Sequence, residues 1–146
     1  MKKFLLLLII PITIIIIVMK PSKIYLTDKY YNKGNFIKKD SLSTIKNDSY
    51  ILYTFNPFCS FPKPCEDVFK SFMTKYKIDM IYMPFSSFKK TDLYKKIKYA
   101  PSVIIVKKGK IVSYLDANSD NDIEKYQKEN VFTTWIKNYI YLEKAK

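Results

Sequence analysis

Apolar and polar residues form blocks along the chain, and most blocks have the length of a short strand or helix. The longest apolar block is Phe4–Met19, which is interrupted only by Pro11 and Thr13. Beyond it, shorter apolar runs are separated by polar turns. This pattern predicts one membrane-length apolar segment followed by an α/β domain.

The central block covers a strand, a loop and a helix. Tyr50–Phe55 is an apolar run of strand length, and Asn56-Pro57 ends it. Pro64 suits the first turn of a helix, where its missing N–H does no harm. The apolar residues that follow recur at helical spacing: Val68, Phe69, Phe72, Met73 and Tyr76.

The only two cysteines lie in this block. Cys59 follows the strand, and Cys65 falls in the first turn of the predicted helix, where Glu66 and Asp67 face the positive end of the helix dipole. This is the layout of a dithiol redox site.

The remaining pattern predicts four more strands and four more helices. The strands are Ser22–Thr27, Asp79–Phe85, Val103–Val106 and Ile111–Leu115. The helices are Leu42–Lys46, Thr91–Lys98, Asp122–Lys128 and Val131–Leu142. Asp28–Asn35, which contains Gly34, reads as a polar turn. Lys108-Gly109-Lys110 closes a β-hairpin between the last two strands.

The N-terminal block favours an uncleaved signal-anchor in residues 1–21, with residues 4–19 in the membrane. A helix of that length reaches about 24 Å, short of the roughly 30 Å hydrocarbon core, and flanking lysines can close the gap by snorkelling. A cleaved signal peptide is the alternative, which would give a secreted protein, although no small-x-small site follows Met19. Either way, the following domain is expected outside the cytoplasmic membrane, where a disulfide can persist.

The composition excludes several classes of chemistry. The chain has no histidine, two glycines and two cysteines. It therefore lacks His-based catalysis, a glycine-rich phosphate loop and the thiolates of a structural zinc site. We expect no metal and no cofactor.

The formal net charge of +13 is carried by lysine alone. Without arginine there is no bidentate fork for phosphates or bases, so we do not expect nucleic-acid binding. The lysines are spread along the chain, which is typical of compositional bias in an AT-rich genome. A loose attraction to anionic lipid or wall polymer is the functional alternative.

Three segments resemble the thioredoxin family. Leu52–Cys59 resembles the strand that leads to that family's redox site, with Phe58 before the first cysteine. Tyr94–Pro101 resembles the helix and turn before the family's cis-proline, and Ser102–Tyr114 resembles the hairpin after it. The chain is similar, more narrowly, to small membrane-anchored thioredoxin-like proteins of low-GC Gram-positive bacteria.

The resemblance implies a three-layer α/β fold with a central mixed β-sheet flanked by helices, preceded by one transmembrane helix. Residues 22–48 would supply an N-terminal strand and short helix, and residues 49–146 the thioredoxin-like core. Pro101 would be cis and close to the cysteines, and the backbone of Ala100 would pair with an extended substrate. Cys59 would be the nucleophile and Cys65 the resolving thiol.

Aromatic residues surround the cysteines. Phe58 and Phe61 are candidates for a substrate groove, whereas Phe55, Phe69 and Phe72 are expected in the core. Trp135 is expected to pack on the terminal helix.

Two features depart from the family. Five residues separate the cysteines where the family has two, and Tyr53 stands in the place of a buried acid that assists proton transfer in many relatives. The seven-residue loop can close as a disulfide and would stabilise the fold by roughly 2.4 kcal/mol.

Three interpretations of function therefore stay open. One is a membrane-anchored thiol–disulfide oxidoreductase that acts on protein thiols or disulfides. Another is an accessory or binding protein, for example for transport, with Cys59–Cys65 as a structural disulfide and the Pro101 groove as the surface that binds a membrane protein. A third is another kind of protein, such as a transport or immunity accessory subunit at the membrane.

Overall fold

A computed structural model describes residues 22–56 and 64–146. Five strands are found there: β1 (Phe36–Lys38), β2 (Ser49–Phe55), β3 (Met80–Pro84), β4 (Ser102–Lys107) and β5 (Lys110–Asp116). The α-helices are α1 (Cys65–Tyr76), α2 (Phe85–Phe88), α3 (Asp120–Gln127) and α4 (Glu129–Ile136). Single 3₁₀ turns lie at Asp28–Tyr30, Ser43–Ile45 and Asp92–Lys95.

The strands form one mixed sheet in the order β1-β3-β2-β4-β5. β1, β3 and β2 are parallel, whereas β4 runs antiparallel to β2 and β5 antiparallel to β4. Parallel neighbours need a crossover, and α1 supplies the one between β2 and β3. The architecture is the thioredoxin-like α/β fold, as the resemblance implied.

The two central strands are covered on both faces. In β2 only Phe55 is partly exposed, and in β4 only Lys107 is exposed. Strands buried on both sides read as continuous apolar runs rather than alternating ones. This explains why the sequence marks β2 and β4 so clearly.

Successive side chains of β2 point to opposite faces of the sheet. Tyr53 packs against Phe69 of α1, with ring centroids 4.9 Å apart. Phe69 also contacts Tyr126 of α3 and Phe132 of α4. These three helices therefore cover one face, while Tyr50, on the other, lines a cleft with Leu93 of the third 3₁₀ turn.

Several predicted boundaries were wrong at the two ends of the domain. Ser22–Thr27 is not a strand, because only Ile24 forms a bridge, to Ile140. The last helix ends at Ile136 rather than Leu142, since the chain after it turns back to pair with Ile24 through the Tyr139 carbonyl, 2.8 Å from the Ile24 N–H. α3 begins at Asp120, two residues earlier than predicted.

Short elements also differ from their predictions. β1 was missed, because three residues at the sheet edge give too little pattern. α2 was missed too, since its single turn follows Pro84 directly. The helices predicted over Leu42–Lys46 and Thr91–Lys98 are single 3₁₀ turns.

The predicted core residues are mostly confirmed. Phe69 and Phe72 are fully buried, and Trp135 packs between Phe132 and Tyr139. Phe55 is only partly buried, because it lies at the exposed end of β2.

The predicted anchor, residues 4–19, lies outside the described residues and stays a prediction. Within 22–56 and 64–146, no helix is long and apolar enough to cross a bilayer.

Gly34 fixes the approach of the first part of the chain to α1. Its φ is +80°, and a Cβ there would lie 2.2 Å from the Met73 carbonyl oxygen. Its N–H and that of Asn35 donate to the buried Asp79 carboxylate at 2.8 and 2.7 Å. The polar turn predicted here is therefore a tight backbone contact that only glycine allows.

We expect Gly34→Ala to lower the free energy of unfolding by about 3 kcal/mol, because it combines an unfavourable φ with a clash against backbone. Urea denaturation of the two proteins measures this difference. Gly109→Ala is the matched control: its φ is +76°, yet the nearest atom to a new Cβ is 3.7 Å away. It should cost only about 1 kcal/mol. Equal losses in the two variants would refute the importance of the Gly34–Met73 contact.

Candidate functional site

The pairing of β2 with β4 brings the proline segment to the end of the central strand. Thr54 pairs with Ser102, so Pro101 lies beside Phe55 where β2 ends. The Ala100–Pro101 peptide bond is cis, which confirms that prediction. The Ser102 hydroxyl donates to the Tyr99 carbonyl at 2.7 Å and fixes the turn around the proline.

The cysteine helix begins at Cys65 itself. Pro64 has a ψ of 119° and so precedes the helix; the prediction that it occupies the first turn was wrong by one residue. Cys65 is buried in this first turn. The positive end of a helix favours a thiolate, and Glu66 and Asp67 in the same turn oppose that effect.

Tyr126 links α1 with the proline segment, because its ring meets that of Phe69 with centroids 6.1 Å apart. Its hydroxyl oxygen lies 3.1 Å from the Pro101 carbonyl oxygen and 2.9 Å from that of Leu115 at the end of β5. Burial raises the pKa of Tyr126 well above its ordinary value, and the nearby charge of Cys65 raises it further. The Tyr126 hydroxyl and Pro101 therefore lie at the edge of the sheet where β2 ends.

The first turn of α1 is tied to β3 by a second tyrosine. The Tyr82 hydroxyl donates to the Glu66 carboxylate at 2.8 Å, and its ring stacks on Phe55 with centroids 4.0 Å apart. Burial and then the Glu66 carboxylate raise the pKa of Tyr82 to about 12. This contact holds the start of the cysteine helix over the end of β2.

Tyr53, which the resemblance sets in the place of a buried acid, lies under α1. It is almost fully buried and packs against Phe69. A phenol there supplies no carboxylate, so any proton transfer at Cys65 must use another group.

A cleft of about 390 Å³ lies at the carboxyl ends of β2 and β3. It is lined by Phe55, Asn56, Pro84, Phe85, Ser86 and Lys89. Ligands of open α/β sheets bind at this edge. The cleft adjoins the point at which the chain enters the cysteine loop.

Three of the predicted site residues lie in the described part of the chain: Cys65 at the start of α1, and Ala100 and Pro101 at the cis peptide bond before β4. Cys59, Phe58 and Phe61 lie outside the described residues, so the Cys59–Cys65 disulfide and the aromatic groove stay predictions. The assigned roles of nucleophile, resolving thiol and substrate contact also stay predictions.

Sequence reasoning missed Tyr126 and Tyr82. Tyr126 is the buried residue of a mostly polar helix, and a lone large aromatic in such a helix is a usable signal. The sequence around Tyr82 gives no such signal, because the contact of Tyr82 with Glu66 depends on how α1 packs against β3.

No family model matches the chain, and no curated protein matches it. Solved structures do resemble it. A mutant thioredoxin from Halobacterium salinarum NRC-1 is 12% identical and superposes with a TM-score of 0.55, over 79% of this chain and 97% of that one. Reduced Schistosoma mansoni thioredoxin pre-protein is 23% identical, with a TM-score of 0.48 over 73% and 97%. Spinach chloroplast thioredoxin f is 15% identical, with a TM-score of 0.48 over 73% and 95%.

At these identities the likeness shows the fold alone. The halobacterial structure carries that argument, since its TM-score exceeds 0.5.

The Tyr82 contact predicts a specific loss of stability in alkali. Tyr82 loses its proton near pH 10 in the unfolded chain and near 12 in the folded one. Its contribution is therefore complete below pH 10 and is lost as the pH rises towards 12. In Tyr82→Phe, the free energy of unfolding should fall less steeply over this range, by one proton or about 1.4 kcal/mol per pH unit.

Urea unfolding at a series of pH values measures this slope. Tyr99→Phe, which removes the phenol of an exposed tyrosine, controls for the loss of a titrating group. Identical slopes in wild type and Tyr82→Phe would contradict the Tyr82–Glu66 interaction.

Proposed function

We propose that the protein is a membrane-anchored thioredoxin-like thiol–disulfide oxidoreductase that acts outside the cytoplasmic membrane through Cys59 and Cys65. The observation that carries the proposal is that the first turn of α1, which begins with Cys65, and the cis-proline segment both lie at the edge where β2 leads into the cysteine loop. Cys59 belongs to that loop. A second thiol near this edge would complete an exchange site beside a backbone segment suited to a peptide.

The proposed reaction begins with two reduced cysteines. The Cys59 thiolate attacks a substrate disulfide, forms a mixed disulfide and releases one substrate thiolate, which takes up a proton. The Cys65 thiolate then attacks the Cys59 sulfur and releases the second substrate thiolate. Two electrons pass to the substrate, and the protein is left with a Cys59–Cys65 disulfide. A dithiol reductant must restore it for turnover, and the same steps in reverse oxidise a substrate dithiol.

The substrate would lie along the proline segment. Ala100 is partly exposed beside exposed Tyr99, and its backbone can pair with an extended chain, as in β-strand addition. Phe58 and Phe61 would flank the substrate. The neighbouring cleft between β2 and β3 offers space for one apolar side chain of the substrate.

One observation favours a second candidate function. Tyr53 removes the buried acid from beneath α1 and fills its place with packed aromatic surface. A domain that uses Cys59–Cys65 only as a structural disulfide needs no such acid. In that case the proline edge would serve as a docking surface for a membrane protein.

Cysteine variants separate the two candidates. We expect Cys59→Ser to abolish the acceleration that the wild-type protein gives to the reduction of insulin by dithiothreitol. Cys65→Ser should instead trap mixed disulfides with substrate proteins in cells, because the resolving attack is missing. Non-reducing electrophoresis and mass spectrometry detect these adducts.

The Cys59→Ser,Cys65→Ser double variant is the control, and it should form no adducts. If the wild-type protein neither reduces insulin nor oxidises a dithiol peptide, the enzyme is excluded. The second candidate, a binding domain with a structural Cys59–Cys65 disulfide, then remains. The adducts should be found in the membrane fraction; recovery only in a soluble fraction would contradict the anchor but not the chemistry.

A further inference from the structure

Tyr126 lies between the cysteine helix and the proline segment: its ring meets Phe69 of α1, and its hydroxyl bonds the Pro101 carbonyl. The side chain is fully buried and comes from α3, which is mostly polar. Its ring meets that of Phe69 edge-on, with centroids 6.1 Å apart. Cys65 precedes Phe69 by four residues and so lies on the same face of α1, one turn nearer the start of the helix.

The hydroxyl has one proton and two alternative acceptors for it. Two carbonyl oxygens, of Pro101 and Leu115, lie within bonding distance, and one proton cannot fully satisfy both. Turning the proton to a third acceptor therefore costs less than breaking a unique bond would. A thiolate at Cys65 is a charged acceptor, and hydrogen bonds to charged groups are the stronger ones.

We propose that Tyr126 is a positioning residue of the dithiol site, which holds the Pro101 carbonyl while Cys65 is protonated or bonded and donates to the Cys65 sulfur when it is a thiolate. This rests on the proposed function. In this proposal the Tyr126 phenol on α3 assists the Cys65 thiol, a role for which Tyr53 supplies no carboxylate.

Other charged groups around the hydroxyl are already engaged. Asp122 pairs with Lys125 at 2.7 Å and accepts the Asp116 N–H at 2.9 Å. Asp116 in turn accepts the Asn118 N–H through its carboxylate. Both carboxylates, like Cys65, raise the pKa of Tyr126, and a backbone hydrogen bond from Val103 lowers it. Tyr126 thus stays protonated and able to donate throughout the range in which a thiol titrates.

The test uses the full chain with Cys59→Ser, in which Cys65 is the remaining thiol. The ultraviolet absorbance of its thiolate is followed against pH. Adding Tyr126→Phe should move the midpoint up by about one pH unit, equal to about tenfold less thiolate at a given lower pH. Tyr30→Phe is the matched control, since it removes another buried tyrosine hydroxyl, bonded to Asp48 at 2.9 Å beside the opposite end of β2; it should leave the midpoint unchanged.

A second measurement covers the case in which Tyr126→Phe does not fold. In the Cys59→Ser chain, 3-fluorotyrosine at position 126 keeps both the ring and the hydroxyl. Its fluorine resonance should move with the same midpoint as the thiolate absorbance, and should stay constant over that range when Cys65→Ser is added.

The inference would be overturned if folded Tyr126→Phe had an unchanged midpoint of Cys65 thiolate formation. It would also be overturned if the fluorine resonance did not shift as the thiol titrates. Neither measurement needs turnover. An active wild type with an unshifted midpoint therefore rejects only the role of Tyr126, whereas an inactive wild type with a shifted midpoint rejects only the proposed function.

Discussion

The antiparallel pairing of β2 with β4 is the constraint on which the rest depends. It runs from Ser49–Lys107 to Thr54–Ser102 through the centre of the sheet. Because both strands are buried on both faces, a shift of one residue would turn every side chain to the wrong layer. The register therefore fixes where β2 ends, and with it the place of Pro101 beside the entry to the cysteine loop. The chemistry proposed at that edge is possible only because this pairing is rigid.

Aromatic packing fixes the other half of the edge. Phe69 touches Tyr53 below it, Tyr126 on α3 and Phe132 on α4, with ring centroids 4.9 to 6.1 Å apart. Such contacts prefer tilted and edge-on geometries and so define orientation as well as distance. They hold α1, and Cys65 at its start, against the sheet. A chain poor in small residues thus positions its thiol with rings, and two hydroxyls, those of Tyr82 and Tyr126, provide the polar links.

The central strand, the cysteine helix and the proline hairpin could be predicted from the sequence, since each has a long apolar run or a decisive turn residue. Resemblance added the mixed sheet between helices and the cis peptide bond at Pro101. The edge elements could not be predicted: β1 is only three residues long, and the chain end leaves its helix to pair with Ile24. Such pairings depend on contacts distant in sequence, which no local pattern encodes. The same holds for the contacts of Tyr126, whose partners come from the proline segment, β5 and α1.

The central question is whether Cys59 and Cys65 form a redox-active dithiol or a structural disulfide. Their reduction potential decides it most directly, measured on the full chain by equilibration with glutathione or dithiothreitol buffers and alkylation of the free thiols. An oxidoreductase of this fold should give a value between about −270 and −120 mV. A potential below about −300 mV, typical of structural disulfides, or two thiols that never join, would contradict the proposed activity.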